Sequence, residues 1–262
     1  MKRYNELDLM KGIGIILVYL GHSFNLKGLE NLFLFSYIHS TIYSFHMPLF
    51  FLISGFLLST IKISGGWTSY YCNKIKRLLI PYFFINLVDF IPRTLFPNLV
   101  NSKFGGIKEV LFYGTKISWF IYTLFIIFMI FPFLEKYILS KDKYYLFGLF
   151  LFFINYLKIF NNIEVLSLNL LIQYIFYFYI GYNIHSIYNS KLKKILENDI
   201  LFLGFSMIFF CFSYKYYMIN FFNKVLFALL GILIVFYVSQ KIKKEGMVYE
   251  FLKFYGVNSL AF

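Results

Sequence analysis

Cysteine is nearly missing from this chain. Only Cys72 and Cys211 occur in 262 residues, in unrelated contexts and with neither CxxC nor metal-ligand spacing. A disulfide scaffold is thereby excluded, no metal is expected, and two free thiols are. Charge is scarce as well: Asp, Glu, Lys and Arg make up 14% of the residues, too little for a soluble domain. The acids are scarcest, 12 against 25 basic residues, which leaves a formal charge of +13. There is no repeat of fixed period and no low-complexity linker. No small-residue cleavage site follows the apolar run after Lys2 and Arg3, so an uncleaved first helix is favoured over a signal peptide.

What is present is apolar. Hydrophobic residues make up 60% of the chain and the mean hydropathy is +0.70, which predicts a polytopic membrane protein. The high aromatic share, 37 Phe and 24 Tyr, resembles the usage of an AT-rich bacterial genome and carries little functional weight. A span needs about 17–20 apolar residues. By that measure helices are expected near Met10 to Leu26, Tyr37 to Thr60, Arg77 to Pro92, Ile117 to Leu134, Tyr144 to Phe160, Leu168 to Tyr188, Ile200 to Tyr214 and Phe221 to Ser239, with a further apolar helix from Met247. The fold class is all-α: a single membrane domain over residues 1–262, a transmembrane helical bundle of eight to nine spans.

Basic residues punctuate these runs in short clusters. Lys2, Arg3 and Lys11, then Lys62 to Arg77, Lys136 to Lys143, Lys191 to Lys194 and Lys241 to Lys253, all fall on the side of the N-terminus, at least three per segment. The opposite side holds fewer. This split predicts a cytoplasmic N-terminus and a bilayer partner, and it removes the need for nucleic acid to explain the charge. The longest polar connection, Arg93 to Lys116 with Pro97, Gly105 and Gly106, is then external.

Chemistry has few places to reside. In ELDLMKGIGIILVYLGHSF, Glu6 to Phe24, an imidazole at His22 ends an apolar helix, and polar groups in hydrocarbon are costly unless used. Lys11 lies eleven residues earlier, which is three turns plus about 20°, so the two share a face about 16 Å apart along the axis. Asp8 is one turn before Lys11 and suited to pair with it at the membrane surface. Gly12, Gly14 and Gly21 permit close helix approach. The alternative is a snorkelling Lys11 and a merely solvated His22.

The second span carries FHMPLFFLISGFLLS, with His46 beside Pro48, a residue that frees a backbone carbonyl for a ligand or water. Ser54 and Gly55 read as packing residues. Lys74, Lys76 and Arg77 follow; such a cluster suits phosphates and equally obeys the positive-inside rule. Trp119, Phe120 and Tyr122 form an aromatic belt at the start of the fourth span. Asp89 and Arg93 are spaced for an ion pair. His39 and His185 fall at helix ends, where water satisfies them.

The order LDLMKGIGIILVYLGHS, FHMPLFFLISGFLLS, KIKRLLIPYFF, WFIYTL, FYFYIGYNI and FYGVNSLAF resembles the membrane acyltransferase 3 family, and within it the sugar O-acetyltransferases grouped with fucose 4-O-acetylase. The resemblance implies about ten spans and transfer of an acyl group, usually acetyl from acetyl-CoA, to a hydroxyl of a cell-surface glycan or lipid-linked sugar at the inner (plasma) membrane. It places the family's essential histidine on His22. The family's basic position eleven residues earlier falls on Lys11, which keeps the charge and loses the arginine fork. The basic motif after the second span falls on Lys74 and Arg77. The family continues with further helix beyond the NSL-like motif, so truncation at the C-terminus is expected.

On this reading His22 is the general base that accepts the hydroxyl proton, or the carrier in an acyl-histidine relay. Lys11, Lys74, Lys76 and Arg77 hold the coenzyme phosphates. Asp8, His46 and Trp119 stand as acceptor-side candidates, His46 by orienting the hydroxyl or stabilising the oxyanion. The rivals are a transporter or flippase for a lipid-linked sugar, with His22 and Asp89 as relay residues, and a non-catalytic scaffold. Matching broken repeats of the kind many transporters show are not found.

Overall fold

The computed structural model describes residues 4–23, 32–60, 66–96, 106–115, 118–137, 144–188, 196–216 and 218–259. The expected end of the first span at Leu26, and Pro97 and Gly105 of the long connection, lie outside the described residues. Those described are all helical or connecting, with no strand among them. The helices are α1 (Asn5–Ser23), α2 (Phe33–Tyr43), α3 (His46–Thr60), α4 (Gly66–Lys74), α5 (Ile80–Leu95), α6 (Trp119–Tyr137), α7 (Tyr144–Tyr156), α8 (Leu168–Ile187), α9 (Asp199–Tyr216), α10 (Phe221–Lys241) and α11 (Met247–Val257). Two π-helical segments, Ile75–Leu79 and Glu109–Tyr113, and a 3-10 turn, Val165–Ser167, complete them.

Six helical segments are long and apolar enough to cross a membrane: Phe33–Thr60, Gly66–Leu95, Trp119–Tyr137, Val165–His185, Asp199–Tyr216 and Phe221–Lys241. The sequence places spans at all six. The second expected span is broken at Ser44 and Phe45 into α2 and α3, because Pro48 has no N–H to continue the ladder and is tolerated only in the first turn of a new helix. The third begins well before Arg77. Gly66–Lys74 is too polar for a hydropathy reading, yet it is helical because its aromatic residues pack on α6. α7 stops at Tyr156, short of a crossing, where Lys158 turns the chain with a positive φ.

The chain packs as two compact units. The first comprises the described residues of 1–61 and 177–259, the second those of 62–176. In the first, α1 runs against α11, α10, α3 and α2, while α9 joins α10 and α2. Two pairs of glycines set the spacing. A Cβ on Gly12 would overlap the Leu252 carbonyl and one on Gly256 the Asp8 carbonyl, so α1 and α11 touch backbone to backbone. Gly55 and Gly181 do the same for α3 and the second half of α8, against the Phe178 and Leu52 carbonyls. No rotamer relieves an overlap between a Cβ and a backbone oxygen. Gly55→Ala is therefore expected to destabilise the protein by about 1–3 kcal/mol, read as a lowered thermal midpoint in detergent.

In the second unit α5 is polar on its inner face and apolar on its outer face, the pattern of a helix in lipid. α5 exposes Phe83, Phe84, Leu87, Val88 and Ile91 and buries Tyr82 and Asn86. Asn86 Nδ2 donates to Ser118 Oγ (2.8 Å) and to the Tyr82 carbonyl, and Thr115 Oγ1 donates to Asn86 Oδ1 (2.6 Å). Tyr82 OH and Tyr122 OH donate to the carbonyls of Val110 and Leu111. These satisfied bonds fasten the 106–115 segment to α5 and α6.

Candidate active site

α1 begins with Glu6 and Asp8 in its first turn, where the helix dipole favours anions, and ends with His22 in its last, where it favours cations. Asp8 and Lys11 pair as the spacing predicts, Nζ to Oδ1 2.7 Å, but not at a surface. Lys11 is 3% exposed and Asp8 9%, because α11 from the far end of the sequence lies over them. Beside them, among α1, α3, α8 and α10, a cavity of about 280 Å³ is walled by apolar side chains including Met10, Leu52, Phe56, Ile232 and Phe236. Its apolar lining suits hydrocarbon and not phosphate.

At the opposite end of α1 three imidazoles gather. His22 is exposed, and it lies within electrostatic reach of both His39 on α2 and His46 at the start of α3. Tyr43 joins them. Its ring stacks on His39 at 4.0 Å between centroids and meets His46 edge-on at 4.8 Å. A Cβ on Gly21, the residue before His22, would lie 2.9 Å from that same ring. Small size at Gly21 is thus what lets the end of α1 settle against Tyr43.

The tautomer of His46 follows from its partner. Nδ1 lies 2.9 Å from the Ile42 carbonyl oxygen, which can only accept, so Nδ1 carries the hydrogen. This bond caps the end of α2, and in the neutral ring it leaves Nε2 as the nitrogen with a lone pair. Nε2 of His39 is buried and has no hydrogen-bond partner among the described residues. The sequence reading passed over His39 and Tyr43 by treating His39 as a solvated helix end. The signal was present: residues 39, 43 and 46 recur at i, i+4 and i+7, one helical face. The three imidazoles do not converge as metal ligands, and no group of three His, Cys, Asp or Glu suited to a metal occurs among the described residues.

The other expected site residues lie in the second unit. Lys74 is half-buried, with Nζ 3.4 Å from the Phe128 ring centroid and 5.8 Å from that of Tyr70. Lys76 and Arg77 are exposed, within the π-helical segment. Trp119 is half-buried at the start of α6, its ring 5.2 Å from that of Tyr174. Asp89 and Arg93 form the expected pair at 2.7 Å, Cys72 and Cys211 are free thiols, and Ser54 is 1% exposed in the α3 core.

An all-helical membrane protein with a histidine cluster at one end of its first helix is the class these features define. Residues 4–262 match the family model described as the acyltransferase domain of acyltransferase 3, and the chain belongs to that family. Among curated proteins it is similar to nodulation protein NolL of Sinorhizobium fredii (strain NBRC 101917 / NGR234), 41% identical over 80 residues, covering 29% of this chain and 22% of that protein. It is also similar to nodulation protein NolL of Mesorhizobium japonicum, 33% identical over 132 residues, covering 48% of this chain and 34% of that protein. The matched part is thus about a third or less of those relatives' length. No solved structure matches.

Proposed function

We propose that the protein is a multi-pass O-acyltransferase of the bacterial inner membrane that transfers acetyl from acetyl-CoA to a hydroxyl of a cell-surface or lipid-linked sugar. The observation that carries the chemistry is the His22, His39, Tyr43 and His46 cluster, a set of proton acceptors and donors gathered in a membrane protein of an acyltransferase family. In this reading His22 accepts the hydroxyl proton as its oxygen attacks the thioester carbonyl, and the coenzyme thiolate departs. His46 orients the acceptor, with Asp8 and Trp119 as further acceptor-side candidates. Lys76 and Arg77, both exposed, hold the donor's phosphates with Lys74. Lys11, buried with Asp8, is the least accessible of the proposed phosphate ligands. In this reading the N-terminus is cytoplasmic, the side on which the basic clusters favour placing it.

The test is direct. Membranes holding the protein, supplied with acetyl-CoA labelled in the acetyl group and with surface polysaccharide from a strain lacking the gene, are expected to form alkali-labile label on the glycan, located by mass spectrometry. A flippase for lipid-linked sugar would move the sugar across the bilayer without consuming acetyl-CoA, and that result would overturn the enzyme reading.

A further inference from the structure

The second unit holds an aromatic cleft that the chemistry above leaves unused. Trp67 and Tyr71 on α4 and Phe133 on α6 lie with centroids 6.2, 6.3 and 6.4 Å apart pairwise and ring planes within 18–23° of one another. Together with Pro132, Lys136 and Tyr137 they line a cavity of about 250 Å³. A site of about 150 Å³ admits benzene, so this one has room for a bicyclic base.

The local sequence explains the arrangement. Residues 67 and 71 are one turn apart and share a face of α4. Pro132 has no N–H for the Phe128 carbonyl one turn earlier, and Tyr70 OH donates to that carbonyl instead, at 3.1 Å. This bond ties α4 to α6 beside the cleft, a link between the two helices besides the ring contacts themselves.

Three features point to a flat, polar-edged ligand. Parallel aromatic rings select a π-face, where an alkyl chain would be served equally by aliphatic walls. Tyr71 OH is buried with no hydrogen-bond partner among the described residues, leaving a donor and acceptor for a heterocycle edge. A cation lines the cleft, Lys136, and Lys74, Lys76 and Arg77 follow Tyr71 in the next turns of the same helical segment. Stacking rings with an exposed cation at their edge are the complement of a base joined to phosphates.

We propose that Trp67, Tyr71, Phe133 and Lys136 form a subsite for the purine base of a nucleotide, and that its occupant is the adenine of coenzyme A. This assignment rests on the acetyl-CoA reading above. The base stacks on the Trp67, Tyr71 and Phe133 rings, Tyr71 OH bonds its edge, and Lys76 and Arg77 take the phosphates.

The test uses the purified chain in phosphatidylcholine nanodiscs, titrated with coenzyme A and with adenosine 3′,5′-bisphosphate while tryptophan fluorescence and heat are recorded. Both ligands are expected to bind and to quench Trp67. Trp67→Leu and Phe133→Leu are expected to weaken both by about 10–100-fold, Trp67→Phe to retain most of the affinity, and Tyr71→Phe to lose less. Trp67 is 45% exposed, and an unchanged thermal midpoint confirms that its variants fold. Wild-type affinity for coenzyme A in Trp67→Leu, with loss in Lys76→Ala/Arg77→Ala, would refute the base subsite and leave the donor reading standing. Binding of coenzyme A without the bisphosphate would refute it equally. No binding of coenzyme A by the wild type would bring down both. A quench that follows added phosphatidylglycerol and not nucleotide would make the cleft a lipid belt and end the proposal.

Discussion

His22→Ala is expected to lower acetyl transfer by about 10²–10⁴-fold, the usual contribution of a positioned general base, with unchanged amounts of protein in the membrane. The substitution is structurally mild because His22 is an exposed residue in the last turn of α1 and the contacts that seat that turn belong to Gly21 and Tyr43. A loss of activity without a loss of stability therefore reports on chemistry. His46→Ala is a different experiment: it removes the Nδ1 bond to the Ile42 carbonyl and leaves a helix end uncapped at a residue 4% exposed, so it confounds folding with function. Transfer by His22→Ala at the wild-type rate would dismiss His22 as the base. A covalent acetyl trapped on His22 by rapid quench would replace the base role with the relay.

Lys11→Met is expected to destabilise the protein by about 3–5 kcal/mol, enough to deplete it from the membrane, because it withdraws the ammonium from a buried carboxylate. Asp8→Asn/Lys11→Met removes both charges and is expected to restore much of the protein level, since replacing a buried pair by neutral groups of similar size is often close to neutral. That double variant separates two roles for Lys11. With the level restored, an unchanged KM for acetyl-CoA means that Lys11 is a structural cation only. A KM raised by tenfold or more at a normal level would assign it to the donor. If Lys11→Met alone accumulates at the wild-type level, the pair is not holding α1 in place.

The helices were legible because each is a run of apolar residues punctuated by cations, and the expected bounds fall within a few residues of most of those observed. The departures have local causes: proline chemistry at Pro48, aromatic docking at Trp67 and Tyr71, and a backbone turn at Lys158. Of the candidate site, the sequence shows some members and not their surroundings. His22 and His46 stood out as imidazoles in apolar surroundings. The burial of Asp8 and Lys11 did not, because it comes from α11, more than 230 residues later in the chain. The aromatic cleft could not be read either, since Trp67 and Phe133 approach only across a helix pair, and single Phe and Tyr residues carry no signal in a chain that is 24% aromatic.

The π-helical segment Ile75–Leu79 bears on how this region tolerates change in length. A π turn is an α-helix carrying one additional residue, and such turns recur at functional positions. It separates the portion that presents Trp67 and Tyr71 from the portion that presents the lipid-facing side of α5. Removing one residue between Ile75 and Leu79 is therefore expected to be absorbed as ordinary α-helix with little change of azimuth downstream, whereas the same deletion inside α5 would rotate everything beyond it by about 100°. A deletion at Ile80 would turn Tyr82 and Asn86 from the interior towards hydrocarbon, and a deletion in the π turn would not. In register terms the segment is a phase adjuster: it lets one continuous 30-residue helical rod, Gly66–Leu95, obey two different angular requirements at its two ends.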